Sequence, residues 1–405
     1  MSATSGCLGC DAHAVDVLVD LGPQPPSNRF ERPGTGAAET HPLVVAQCAA
    51  CGLIQLRDPM PPSMAKSRFE WLSYNEPEGH LDDLVARLRA LRGIGPASRI
   101  VGLTYKDDTT LARFSQLGHT NTYRYDPAAD LGLRDPCAGL ESIQGAIDDA
   151  RAAHLAARHG LADLLIVRHI LEHAHRPAAF LHAVRALVKP GGYLVFEMPD
   201  CSKFVGACDY SFLWEEHITY FSESTLRAFL KAAGAALQAT HLYPYPLEDS
   251  LIAVVRNASP AADESAHVSA HAALAAGREF AAHYAPAGER MRRLLGRWQQ
   301  DGKRVAVFGA GHLAAKFVNF FRLGAMIDCV VDDNARKQEL LMPGSRLAIR
   351  GSATLLSRSI DLCLLSLNPE SEQKVLAKNQ PFLDRGGRFL SIFASSERAV
   401  QKAAP

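Results

Sequence analysis

The 405-residue chain has no surplus of either charge: Lys and Arg number 43, Asp and Glu 43, and the formal net charge is zero. That balance excludes a global field for capturing nucleic acid or an anionic membrane, and neither is expected as a partner. No apolar run approaches the ~18 to 20 residues of a membrane span. The opening MSATSGCLGC lacks the basic and apolar regions of a secretory leader, so a cytoplasmic location is expected. What remains is ordinary for a globular protein, with 47% apolar and 21% charged residues. The length suits two or three domains whose cores need no disulfides. The nine cysteines are therefore expected to bind metal or lie buried in a reducing compartment.

Cys7-Leu8-Gly9-Cys10 and Cys48-Ala49-Ala50-Cys51 form two C-x2-C knuckles. Each spacing lets one tight turn present two sulfurs, and four thiolates close a tetrahedral zinc site. Such a site has no open position, so the expected metal is a structural staple. The long separation between knuckles calls for a strand-rich insert, and Gly52 suits the second turn. The other cysteines, Cys137, Cys201, Cys208, Cys329 and Cys363, are expected to be buried and inert.

From about residue 98 to 256 the pattern alternates strand and helix. RIVGL, NTYRY, LADLLIV, GGYLVFEMP, ALQATHLY and SLIAVVR read as strands, and TTLARFSQLG, PAAFLHAVRALV and STLRAFLKAAG as helices. Ligands of such α/β sheets bind at the carboxyl ends of strands, here Thr104 to Asp108, Tyr125-Asp126, Arg168-His169 and Met198 to Asp200. Asp126 is placed to take ribose hydroxyls, or equally to initiate an Asp-Pro turn. His169 to His173 spells H-x-x-E-H, but it follows directly from a strand, which argues against a zinc protease helix. Trp214-Glu215-Glu216-His217 opens a dense polar and aromatic cluster, ahead of a helix capped by Ser222 or Ser224. A histidine beside two carboxylates suits a general base, or a hydrogen-bonded structural loop.

Residues 257–300 read as one long helix, kinked near Pro286. KRVAVFGAGHLAAKFVNFF then gives strand, Gly309-Ala310-Gly311 turn and helix, and the next strand ends in Asp332-Asp333. This pattern fits a dinucleotide fingerprint, or a plain strand-to-helix turn. The expected class is α/β: a small N-terminal zinc domain (1–68), a Rossmann-like domain (69–256), a helical linker (257–300) and a second Rossmann-like domain (301–405).

LGPQPPSNRF, HPLVVAQCAACGLIQL, RHILEH, FEMPD, WEEHITYF, FGAGHLAAKFVNFF and VVDDNARKQELLMPG occur in this order along the chain. Over nearly its full length the chain resembles the nucleotide-sugar C-methyltransferases of deoxysugar biosynthesis. The resemblance implies zinc on Cys7, Cys10, Cys48 and Cys51, and S-adenosylmethionine at Gly102, Thr104, Asp107 and Asp126. It implies a small nucleotide-linked keto sugar as substrate, with the C-terminal domain helping to hold it. It implies His217 as the base next to a sugar ketone, Glu216 as its neighbour and His169 as an active-site residue at the strand end.

Two segments depart from that pattern. Relatives have a glycine-rich turn after the first central strand, and here two of its glycines are Thr104 and Asp108, with Lys106 between them. An aromatic and Ser-rich substrate segment is replaced by Glu70-Trp71-Leu72-Ser73-Tyr74-Asn75-Glu76-Pro77-Glu78-Gly79-His80, and Trp214 stands where a relative has tyrosine. The expected activity is C-methylation through an enolate. The alternatives are enolate chemistry without a methyl donor (epimerisation, isomerisation or elimination), a non-catalytic sugar-nucleotide-binding protein, and a nicotinamide-dependent dehydrogenase using Gly309, Gly311 and Asp332.

Overall fold

The computed structural model describes residues 6–10, 12, 14–72, 76–259 and 270–402. Ser73, Tyr74 and Asn75 of the expected substrate segment lie outside the described residues, as do residues 260–269 of the expected linker. The chain divides into two compact units. One comprises Met1–Val17, Val45–Cys201 and Glu216–Ala275, the other Leu18–Val44, Ser202–Glu215 and Ala276–Pro405.

The strand-rich insert between the knuckles contains β1 (Val15–Gln24) and β2 (His41–Cys48), and β3 (Ile54–Leu56) follows the second knuckle. Next come β4 (Ile100–Gly102), β5 (Thr122–Arg124), β6 (Ala162–Arg168), β7 (Val188–Asp200), the short β8 (Thr219–Tyr220), β9 (Ala236–Tyr243) and β10 (Asp249–Arg256). β1, β2, β3 and β8 form a four-stranded sheet in that order.

The central sheet of the first unit runs β5-β4-β6-β7-β10-β9. It is parallel except for β10, which is antiparallel to both neighbours. Its strands are apolar on both faces because both faces are covered. In β6, Leu165 and Val167 enter one core cluster while Leu164 and Ile166 enter the other. The helices Asp108–Gln116, Pro177–Arg185 and Glu223–Ala232 sit where the sequence pattern puts them. Gly118 and Gly234 follow two of them with φ of +89° and +61°. Two more helices, Leu140–Ala146 and Asp149–His159, lie between β5 and β6, where the apolar pattern had marked neither.

The second unit holds a five-stranded parallel sheet of β11 (Val305–Phe308), β12 (Cys329–Val331), β13 (Ile349–Arg350), β14 (Leu362–Leu365) and β15 (Arg388–Ser391). Its order is β13-β12-β11-β14-β15. The helix His271–Gln300 carries Pro286 in its interior. Cys329 and Cys363, on strands, and Cys201, directly after β7, are buried as expected, whereas Cys137 and Cys208, in loops that adjoin no strand, are only half-buried. Among the described residues no helix is long and apolar enough to cross a membrane.

Candidate active site and metal centre

The four knuckle sulfurs lie within 4.8 Å of one another. Cys7 Sγ is 3.6 Å from Cys51 Sγ, and Cys10 Sγ is 3.7 Å from Cys48 Sγ. A tetrahedron of thiolates at a zinc–sulfur distance of about 2.3 Å has edges of about 3.8 Å, so the set fits zinc. Two backbone amides support it: Gly9 N donates to Cys7 Sγ and Cys51 N to Cys48 Sγ. The buried Gln55 on β3 holds the first knuckle, accepting from Leu8 N at 2.8 Å and donating to Gly6 O at 3.1 Å. Gly52 turns the second knuckle with φ +78°, and a Cβ there would come within 2.8 Å of Ala273 Cβ. Four thiolates leave a tetrahedral zinc no open position, which fits a structural role.

The strand order of the central sheet reverses between β4 and β6, and the carboxyl ends of those strands form the crevice where such folds bind ligands. Gly102 and Leu103 lead into Thr104, which caps a single 3-10 turn, Tyr105–Asp107, by accepting from Lys106 N. The Asp107 carboxylate is fully buried inside this turn. Its Oδ2 accepts from Leu103 N and Thr104 N, and its Oδ1 from Arg168 N. Burial pushes Asp107 up to about 7, against the pull of those amides and of the Arg168 guanidinium. Asp108, on the rim, pairs with Arg124 at 2.7 Å, and Lys106 pairs with Glu76 at 3.1 Å. Asp126 is exposed at the end of β5, and its Oδ1 caps the following turn through Ala128 N and Ala129 N. The turn-initiating reading of Asp126 is thus realised, on one carboxylate oxygen.

β6 ends in two buried cations. Arg168 Nε donates to Glu197 Oε2 at 2.5 Å, and the same guanidinium reaches Lys106 O and Thr109 Oγ1. His169 follows with φ +51°, an uncommon conformation for a non-glycine residue. Its Nε2 lies 3.1 Å from Glu197 Oε1 and its Nδ1 3.6 Å from Glu172 Oε1. Burial disfavours the imidazolium, but Glu172 and Glu197 outweigh it and lift His169 to about 10. Burial equally opposes ionisation of Glu197, yet His169, His80 and Arg168 hold it well below the usual carboxylate range. His169 is therefore a fixed buried charge at neutral pH. A 3-10 turn, Leu171–His173, follows it, so the H-x-x-E-H residues do not share a continuous helix.

His217 lies on the loop before β8, half-buried, and its ring meets His173 edge-on at 4.8 Å. Side-chain oxygen and nitrogen atoms of Glu172, His173 and His217 lie within 4.8 Å of one another, as do those of Glu141, His173 and Glu216. His217 and Glu216 thus come together, while His169 is joined to them through Glu172. Tyr105 overlooks the same cluster; burial, Glu141, Glu216 and Glu76 all raise its pKa. Sequence reasoning missed Glu141, Glu197 and His80. Glu197 left a signal, as an acidic residue inside the all-apolar strand YLVFEMP needs a buried partner. Glu141 and His80 left none.

In the second unit, the Asp332 carboxylate accepts from Ala310 N at 2.8 Å and from Lys337 Nζ at 3.3 Å. It therefore bonds to the glycine turn itself, where a dinucleotide fingerprint would present it to a ribose. Gly309 has φ +104°, and a Cβ there would meet Leu367 at 2.7 Å. Trp214 stacks on His312 with ring centroids 4.4 Å apart.

Three domain families match successive parts of the chain: a zinc binding domain over residues 7–64, a methyltransferase domain over residues 56–240, and a C-methyltransferase C-terminal domain over residues 256–393. The fold and the middle match define a methyltransferase. With all three matches in this order, the chain has the same three-part arrangement as the C-methyltransferases it resembles. The C-methyltransferase NovU of Streptomyces niveus is 26% identical over 369 residues, covering 88% of this chain and 87% of that protein. Among solved structures, 1,6-didemethyltoxoflavin-N1-methyltransferase of Burkholderia thailandensis shares 16% identity, with 45% of this chain and 80% of that chain covered at a TM-score of 0.30. Magnesium protoporphyrin IX methyltransferase of Synechocystis shares 17%, with 45% and 90% covered at 0.31.

Proposed function

We propose that the protein methylates the carbon next to the ketone of a nucleotide-linked keto-deoxysugar, with His217 as the base. The observation that carries this reading is the placement of His217. Its half-buried ring is edge-on to the buried His173 and within reach of Glu172, so a base open to substrate has carboxylate and imidazole support behind it. Removal of the proton α to a carbonyl leaves an enolate or enol whose carbon is the nucleophile. The donor supplies an electrophilic methyl group when bound. Asp126 would hold the ribose of that donor and Lys106 would meet its carboxylate, with Gly102, Thr104 and Asp107 shaping the turn between them. Residues 1–68 would serve as the zinc staple, 69–256 carry the chemistry, 257–300 link, and 301–405 form the C-terminal domain. His169, with both ring nitrogens facing carboxylates, would act as a fixed charge and not as a second base.

A second reading rests on Asp107, whose carboxylate bonds the turn amides Leu103 N and Thr104 N. If that closed turn refuses the donor, the same base returns the proton and the outcome is epimerisation or isomerisation. One experiment separates the readings. The protein is incubated in deuterated buffer with a nucleoside-diphosphate keto-deoxysugar, with and without S-adenosylmethionine, and the sugar is examined by mass spectrometry. Exchange without the donor and a methylated product with it are expected. Replacing His217 by Ala should slow both by about 10²-fold or more. Exchange by His217→Ala at the wild-type rate removes the base assignment, and exchange with no methylation in any condition selects the second reading.

A further inference from the structure

A cavity of about 1150 Å³ lies within the second unit, and neither the metal centre nor the proposed base uses it. Its walls are the end of β1, the helix His271–Gln300, the end of the helix His312–Phe320 and the loop between β12 and β13. That volume is ample for a small molecule. The Gly309–Gly311 turn lies at the other end of His312–Phe320, nine residues or about 13 Å away. The cavity is therefore separate from the crevice at the carboxyl ends of that sheet. Leu21, Val318, Phe320 and Phe321 are buried and give it an apolar wall. Gly288 lets the long helix approach this wall, since a Cβ there would come within 3.2 Å of Phe321 Cδ1. The rings of Tyr284 and Phe321 are stacked at 29° with centroids 6.1 Å apart, a surface suited to a flat molecule.

Three charged residues line the cavity, and one carboxylate, Asp20, is set against two guanidiniums, Arg292 and Arg322. Asp20 Oδ1 accepts from Gly22 N at 2.9 Å, and Arg292 Nη1 donates to Phe321 O at 3.1 Å. Among the described residues Arg322 makes no hydrogen bond or ion pair through its side chain. Burial raises the Tyr284 phenol above its ordinary range, and Arg322 and Arg292 pull it down, so both cations act on one point of the wall. The backbone of Arg322 is also informative. Its amide donates to Asn319 O and that of Leu323 to Val318 O, the two bonds that close a helix at a left-handed residue. Glycine is usual there, yet an arginine holds φ +56°. An unpartnered cation kept at a strained position beside a cavity points to a ligand for that cation.

We propose that this cavity is a second small-molecule site, which takes a flat apolar molecule carrying one anionic group (carboxylate, sulfate or phosphate) against Arg322 and Arg292. The apolar wall supplies contact area, and the guanidinium fork of Arg322 supplies recognition of the anion. The site depends on neither the His217 assignment nor the methyl donor.

The test uses the full-length protein and three probes. Anilinonaphthalene sulfonate carries an anion on flat rings, phenylnaphthylamine has the rings without the anion, and inorganic phosphate has the anion alone. Followed by fluorescence, the sulfonate should bind at about one per chain and about 10-fold or more tighter than the amine. Phosphate should displace the sulfonate and not the amine. Arg322→Gly should weaken the sulfonate about 10-fold or more and leave the amine unchanged. It should also unfold no earlier than the wild type, since glycine suits that φ. Ala285→Trp, at an exposed helix position on the cavity wall, should exclude both dyes and gives an independent reading if Arg322→Gly does not fold. Equal affinity for the two dyes, or full sulfonate affinity in Arg322→Gly, overturns the anion site. Wild-type affinity for both dyes in Ala285→Trp, or no binding of either to the wild type, overturns the cavity as a binding site.

Discussion

The amide of Ile218 donates to the carbonyl of Glu172 at 2.7 Å. Its own carbonyl accepts from Leu56 N at 2.9 Å, so the residue after His217 is fixed on both sides. Glu172 belongs to the turn that follows β6, and Leu56 to β3, the strand that follows the second zinc knuckle. β3 also pairs with β8 through Ile54 and Tyr220. The zinc hairpin and the crevice turn thus hold the His217 loop between them by backbone bonds, which do not depend on the side chain at 217.

That linkage makes the metal matter beyond its own domain. Elemental analysis of protein purified without added metal should give about one zinc per chain. Cys48→Ser should lose it and unfold at lower temperature, because an incomplete thiolate set binds zinc far more weakly. Gln55→Ala should keep the cysteines but leave Leu8 N and Gly6 O without their partner, costing about 1–3 kcal/mol in denaturant melts. Full stability of Cys48→Ser would show that the hairpin does not depend on the metal.

His169 makes stability depend on pH with a defined sign. Its folded pKa of about 10 lies above the ordinary 6.5. The imidazolium therefore contributes its full stabilisation below about 6.5, and loses it as pH rises toward about 10. Denaturant melts across that window should show the wild type losing stability relative to His169→Asn, a replacement that tolerates the positive φ. A difference that is flat with pH would mean that His169 is neutral in the fold.

Calorimetric titration with S-adenosylmethionine and S-adenosylhomocysteine should show binding to the wild type. Asp126→Asn keeps an oxygen for the turn but removes the charge offered to ribose, and should weaken binding about 10-fold, or about 1.4 kcal/mol. Lys106→Met should weaken it through loss of attraction to the donor's carboxylate. Unchanged affinity in both variants would place the donor elsewhere than on these residues.

In the second unit, the side chain of Lys316 is 1% exposed and pairs with Glu215, whose side chain is fully buried and also accepts from Ser27 N. Lys316→Met should destabilise by about 3–5 kcal/mol, since it leaves a buried charge without its counter-ion. The double variant Lys316→Met, Glu215→Gln should recover part of that loss, and chemical denaturation measures both. Equal losses in the single and double variants would mean that Lys316 acts by packing alone.

How far the sequence could be read is clear from particular residues. The knuckles were legible because C-x2-C is a local spacing and zinc geometry fixes what it must do. The strands β4, β6 and β7 were legible because a sheet covered on both faces needs uninterrupted apolar runs. His217 and Glu216 stood out as adjacent polar residues among aromatics. Glu141 did not, because its partner His173 is 32 positions away and no periodicity links a helix residue to a turn after a distant strand. The two helices between β5 and β6 were also missed: Leu140–Ala146 is only seven residues long, too short for a helical period to assert itself.

By itself, then, the sequence determined the two cysteine knuckles, the alternation of strand and helix and the order of the three parts, all of which follow from local spacing and apolar pattern. Only the tertiary structure decided the state of the charges. Asp107 could have faced a ligand from its turn, yet it points inward onto Leu103 N, Thr104 N and Arg168 N. Asp332 could have faced a ribose, yet it bonds to Ala310 N. The physical reason is the same in each case: a buried carboxylate takes the nearest unsatisfied amides and cations, and which ones lie nearest depends on how strands distant in sequence are brought side by side.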